Sequence, residues 1–161
     1  MIQEQFIDEI IISLDSSLDN YRRAIQHIKQ SHPLMLDYIM SDDMQLLMQT
    51  ERDLLLFNAL VIFESATESG YILEQYDPDQ IEELEEQNYL LWEGAKGPNF
   101  RDKLDKFFEN YPEEDLLAFV EDSLEDDDNL LSKEGKLPIL IKLKTLIDIF
   151  ILFRSGNKVS D

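Results

Sequence analysis

Leu54-Leu55-Leu56-Phe57-Asn58-Ala59-Leu60-Val61-Ile62-Phe63 carries nine apolar residues in ten and no charge. Periodicity inside so dense a run does not separate a buried strand from a helix that is apolar all round. The flanks decide. Ser41-Asp42-Asp43 offers N-cap side chains, Met44, Leu47, Leu54, Leu55, Val61 and Ile62 recur at helical spacing, and nothing breaks the run before Gly70, which suits a C′ position. The pattern predicts one helix over residues 43–68, amphipathic in its first half and enclosed in its second. A helix apolar on every side needs neighbours on every side.

Upstream, Ile7, Ile11, Leu14, Leu18, Tyr21, Ile25 and Ile28 alternate spacings of four and three, a heptad seam that predicts a single helix over residues 2–30. Phe6, Ile10 and Ile12 widen its face beyond a two-stranded seam, which favours an intramolecular bundle. Ser31-His32-Pro33 breaks the chain and restarts it as a short helix over 33–40.

Downstream, Asp77-Pro78 opens a helix running to about Trp92, and Gly94-Ala95-Lys96-Gly97-Pro98-Asn99 is a loop. An aromatic face from Phe100 to Tyr111 follows, then a helix opened by Pro112-Glu113-Glu114-Asp115. Lys133 to Lys136, with Gly135 inside, reads as a connector, and Pro138 as the start of the last helix. The expected architecture is an all-α, single-domain bundle of about six or seven helices with long first, central and last helices. It occupies residues 1–154, with a polar tail over 155–161.

At 161 residues with 43% hydrophobic composition, the chain can bury a full domain core and is no disordered acidic tail. The absence of cysteine excludes disulfides, thiolate metal sites and cysteine nucleophiles. No basic residue precedes the first apolar positions and the last apolar segment contains Lys142, Lys144 and Asp148, so a cytoplasmic, non-membrane protein is expected.

Lys and Arg number 14 against 35 Asp and Glu, a net −21. Two long stretches, 53–95 and 107–132, contain acids and no Lys or Arg, whereas the segment beyond Lys133 is basic and apolar. Such a field opposes nucleic acid and anionic lipid and attracts a basic protein.

Several constellations carry possible chemistry. Glu82-Glu83-Leu84-Glu85-Glu86 contains the E-E-x-x-E spacing with which all-helical nucleoside triphosphate pyrophosphohydrolases hold magnesium. The downstream E-x-x-D which that chemistry needs has its nearest counterpart in Glu125 and Asp128, inside an acidic turn, and no cation stands near to receive phosphates. A solvated helix face is the plainer expectation. His27 and His32 do not share a face, and neither has the glutamate three residues ahead that a di-iron bundle uses. Glu64 and Glu68 are expected at the domain rim beside Lys142 or Lys144. Neither acidic turn continues with the glycine and glutamate of a calcium loop. Tyr71, Tyr76, Tyr89 and Trp92 read as core anchors that would become a partner hot spot if exposed together.

The leading expectation is a non-enzymatic acidic binding or regulatory protein that engages a basic protein partner, one form of which is an inhibitor or immunity-type protein. Its partner-binding residues would be Glu82, Glu83, Glu86, Tyr89, Trp92, Asp126, Asp127 and Asp128, with no catalytic residue, metal or cofactor. The alternative is a magnesium-dependent, pyrophosphohydrolase-like enzyme using Glu82, Glu83 and Glu86. Closure as a monomer is favoured over a homodimer through the first helix, because strong like charge opposes self-association.

Overall fold

The computed structural model describes residues 1–125 and 131–156. Over these residues the chain is all-helical: α1 (Glu4–Ser16), α2 (Leu18–Ser31), α3 (Pro33–Ile39), a 3-10 segment (Asp42–Leu46), α4 (Gln49–Glu68), α5 (Pro78–Gly94), α6 (Phe100–Phe108), α7 (Glu114–Leu124) and α8 (Lys133–Leu152). An isolated antiparallel bridge, Leu73 with Arg154, is the sole β pairing among the described residues. None of their helices is long and apolar enough to cross a membrane.

The apolar decapeptide lies in α4, which touches α1, α2, α3, α7 and α8. Ala59 to Phe63 are buried on every side, as a helix without a polar face requires. The twelve consecutive buried residues from Ile139 to Phe150 place α8 at the same centre. Phe63 meets Phe150 across this contact at 6.2 Å between ring centroids. The ends of α5 and α6 are closed by ordinary caps: Asp77 accepts from the Gln80 N–H while Gln80 returns a bond to Asp77, and Asn99 accepts from the Asp102 N–H.

Three helix boundaries differ from the sequence expectation, each for a local reason. The first helix divides at Ser17, which leaves the helical region (φ −145°) and accepts the Asn20 N–H on its own hydroxyl. Serine favours such a cap over helix continuation. The heptad spacing survives in the sequence, but Leu18 is 62% exposed while Ile7, Leu14 and Ile28 are buried within the chain. The central helix begins at Gln49, preceded by the 3-10 segment.

The last helix begins at Lys133, so the expected connector is its first turn and Pro138 lies inside it. Ser132 caps this start through the Gly135 N–H at 3.0 Å. Proline's missing donor leaves the carbonyl one turn back without its helical bond, and Glu134, which owns it, is exposed.

Glu51 ties the two central helices together. One carboxylate oxygen accepts the Met48 N–H at the start of α4 (2.8 Å), and the other accepts the Ser132 N–H (2.9 Å) and hydroxyl (2.8 Å) at the start of α8. A Cβ at Gly135 would fall on that carboxylate, so any larger residue there would displace Glu51 from its present position. Burial alone would raise the Glu51 carboxyl, but the bonds from Met48 and Ser132 outweigh it and hold the group below its ordinary value.

A depressed carboxyl contributes stability that is present above its unfolded value, about 4.3, and lost as pH falls through the folded one. Glu51→Gln should therefore cost about 1–2 kcal/mol at neutral pH. The gap between variant and parent should close as urea midpoints are followed down to about pH 3; a gap independent of pH would show that the charge contributes nothing.

Two lysines of α8 are buried, which the sequence reading did not anticipate. Lys142 is held by the Tyr38 carbonyl (3.1 Å), the Ser41 hydroxyl (3.0 Å) and the carboxylates of Glu85 (3.4 Å) and Asp43 (3.5 Å), over the face of Tyr38. Lys144 pairs with Asp148 (3.0 Å) and the Asn88 carbonyl oxygen (2.7 Å), enclosed by Phe107 and Tyr111. Both lysines are therefore committed inside the bundle. Glu64 bonds His27 (3.0 Å) instead of either lysine, and Glu68 is exposed. Ser155, expected in the polar tail, is pinned by the bond from its N–H to the Ile72 carbonyl, next to the Leu73 bridge to Arg154; residues 157–161 of that tail lie outside the described residues.

Candidate functional site

Alpha-helical spacing brings one stripe from each of three helices to a common groove. On α4, Leu54, Phe57 and Asn58 stand at i, i+3 and i+4; on α1, Ile7 and Ile11 are one turn apart; on α7, Ala118 and Phe119 complete the floor. The groove encloses about 470 Å³. Its rims are two rows of acids, Glu4 and Asp8 on α1 and Asp115 and Asp122 on α7. No Lys or Arg lines it among the described residues.

The rims are fixed. Asp115 accepts the Glu4 N–H at 2.9 Å, joining the start of α1 to α7. The buried Glu113 accepts the Ile2 N–H on both oxygens (3.1 and 3.2 Å) and the Tyr71 hydroxyl (2.8 Å). Glu121 is not among the groove's lining residues: burial, then the charge of Glu125, push its carboxyl above its ordinary value, and Arg101 of α6 partly offsets them.

The floor holds a second signal. Asn58 is 2% exposed, yet its Nδ2 has no hydrogen-bond partner among the described residues. A buried donor without an acceptor costs about 1–3 kcal/mol. Of the ten residues in the apolar stretch it is the single polar one, and it stands where the enclosing helices leave α4 partly open: Leu54 and Phe57 beside it are only half-buried.

The residues singled out from sequence fall elsewhere. Glu82, Glu83 and Glu86 are exposed on α5, and Glu82 borders a cleft of about 360 Å³ over Lys142 and Glu85. Among the described residues no group of three or more His, Asp or Glu side chains is placed to hold a metal ion. The convergence that magnesium chemistry would need on these three carboxylates is not formed there. Trp92 is buried between Phe100 (4.8 Å) and Phe107 (5.9 Å) under Lys103, so it anchors the α5–α6 contact and offers no exposed hot spot. Tyr89 is half-buried beside Asp43 and Glu134 at a different cleft. Asp126, Asp127 and Asp128 lie outside the described residues.

The sequence reading missed Glu4, Asp8 and Asn58 and saw Asp115 and Asp122 only as members of a long acidic stretch. One signal could have found the groove: the lone Asn58 within an otherwise apolar helix. The acids on α1 gave none, because their alignment with α7 is a tertiary fact.

Against protein-family models, curated proteins and solved structures, the chain has no match.

Proposed function

We propose that this chain is a non-enzymatic binding or regulatory protein that engages a basic protein partner at the groove between α1, α4 and α7. The observation that carries the reading is the groove's composition: an apolar floor between two acidic rims with no basic lining residue. The apolar floor gives affinity through burial, and the acids give orientation and a fast encounter. A net charge of −21 extends the attraction beyond the contact. One form of this function is an inhibitor or immunity-type protein, whose spaced carboxylates occupy the basic surface with which its target meets phosphates.

The test is charge reversal on both rims. A basic protein captured by the parent at about 50 mM salt and released by about 300 mM should bind Asp8→Lys/Asp122→Lys at least about tenfold more weakly, chiefly through slower association. Equal capture by parent and variant places the contact on another acidic face and removes the groove from the proposal. No capture of any basic protein by the parent removes the proposal itself.

A further inference from the structure

We infer that α5 and α6 form a hairpin that undocks from α8 as one unit while the other helices stay folded, a movement built into the polar seam where Glu85 and Asn88 meet Lys142 and Lys144. The helices that wall the groove, α1, α4 and α7, all belong to the part that stays, so the inference stands apart from the function proposed above.

The hairpin has a centre of its own. Trp92 of α5 packs against Phe100 (4.8 Å) and Phe107 (5.9 Å) of α6, with the Lys103 ammonium over its ring. Those contacts lie within the hairpin and survive its departure. The principal contacts of α6 are with α5, and those of α5 are with α6 and α8. Elsewhere clefts part α5 from the body. One of about 360 Å³ lies between Ile81, Glu82 and Glu85 and the α3 residues Leu34 and Asp37, and one of about 320 Å³ lies between Tyr89 and the 3-10 segment.

The seam is polar at its middle. Asn88 donates to the Thr145 hydroxyl (3.0 Å) and to Asp148 (2.9 Å) and accepts from Lys144 (2.7 Å). One turn earlier, Glu85 meets Lys142 (3.4 Å) and accepts the Tyr38 hydroxyl. Opening exchanges these bonds for bonds to water, so they add less net adhesion than apolar burial over the same area. Beyond Trp92 and Phe107, the apolar side chains that the hairpin buries are Ile81, Leu84 and Leu104, whereas α8 is buried without a break from Ile139 to Phe150.

Opening also strands no charge. A buried cation that loses its partners is strongly destabilising. Lys142 keeps the Tyr38 carbonyl (3.1 Å), the Ser41 hydroxyl (3.0 Å) and Asp43 (3.5 Å), and Lys144 keeps Asp148 (3.0 Å), none of them in the hairpin. Two outer ties, Arg101 with Glu125 at 4.0 Å and Lys136 over the Phe100 ring, are of kinds that contribute little near a surface.

Both ends can pivot. Ahead of the hairpin, Tyr76 is anchored on Phe153 (5.6 Å), which puts one pivot at Asp77. Behind it, Asn110 holds a left-handed conformation (φ 54°) and Tyr111 is anchored on Asp148 (2.6 Å), which puts the other at Glu109 and Asn110. A few non-helical residues at element ends suffice to absorb such a rotation.

Hydrogen exchange on the full chain, read by mass spectrometry for peptides of each helix below the unfolding transition, tests the inference. The amides of α5 and α6 should share one degree of protection, at least about a hundredfold below that of α4. Phe63→Leu, a change in the body, should speed α4 exchange about tenfold and leave α5 and α6 at the parent rate, because docked and undocked forms carry the same defect. Exchange of α5 together with α4, exchange of α5 without α6, or a Phe63→Leu effect equal in all helices overturns the inference.

The chain has no native cysteine, so a single introduced thiol gives a second measurement. Thr145 is fully buried at the seam beside Asn88, and Ala59 is buried within the body on α4. Thr145→Cys should react with a thiol reagent at least about tenfold faster than Ala59→Cys. Equal rates overturn the inference.

Discussion

Replacing Asp148 with Ala should lower the free energy of unfolding by about 3–5 kcal/mol, because it leaves Lys144 inside the bundle without its counter-charge. Lys144 is 5% exposed and its ammonium touches both Asp148 oxygens, at 3.0 and 3.3 Å. The carboxylate is also the acceptor for the Asn88 amide (2.9 Å) and the Tyr111 hydroxyl (2.6 Å). Burial, followed by the Asp148 charge, holds the Tyr111 hydroxyl protonated well beyond its ordinary range, so it stays a donor. One deletion therefore strands a charge and two donors. Urea denaturation of the variant should show a lower midpoint with an unchanged slope. The double variant Lys144→Met/Asp148→Leu should regain at least about half of the loss, since apolar volume replaces a buried pair with little penalty. A single-variant cost below about 1 kcal/mol would mean that Lys144 reaches water in solution.

That network marks the limit of what the amino-acid order conveys. Helix existence was legible because apolar spacing and Gly, Pro and cap residues act locally: the 33–40 and 78–92 helices and the 94–99 loop all agree with the structure to within a residue or two. Boundaries were missed where a side chain prefers a local bond over the periodic pattern. Ser17 caps α2 and divides a seam whose spacing runs on unbroken, and Ser132, held by Glu51 from 81 residues away, starts α8 six residues before Pro138. Lys142 and Lys144 read as rim residues of a basic, apolar segment because a lysine's burial depends on partners that only the tertiary arrangement supplies: Glu85, Asp43, Asn88 and Asp148.

The site was less legible than the fold for a related reason. Acidic runs in the sequence direct attention to α5, where Glu82, Glu83 and Glu86 are simply exposed. A groove is made where helices distant in sequence fail to close over one another. Its rim takes two acids from α1 and two from α7, separated by more than 100 residues. No run of acids records that pairing.

The two phenylalanines of the apolar decapeptide show the same distinction inside one helix. Phe63 is fully buried and its ring meets His27 (4.9 Å), His32 (5.8 Å) and Phe150 (6.2 Å), so it joins α2, the His32 link between α2 and α3, and α8 to α4. Phe63→Ala should cost about 3–5 kcal/mol, since packed neighbours from three separate segments cannot all collapse into the space left. Phe57, six residues earlier, is half-buried on the groove floor, stacked on Tyr21 at 6.4 Å. Phe57→Ala should cost about 1–2 kcal/mol, because it is only partly buried to begin with. If the groove is the binding site, the ranking reverses for affinity: Phe57→Ala weakens a basic partner at least about tenfold by removing floor area, and Phe63→Ala, measured where it remains folded, leaves affinity near that of the parent. Urea unfolding and partner titration on the same two variants check both rankings together. Equal stability losses would contradict the burial difference along α4, and equal affinities would place the partner away from Phe57.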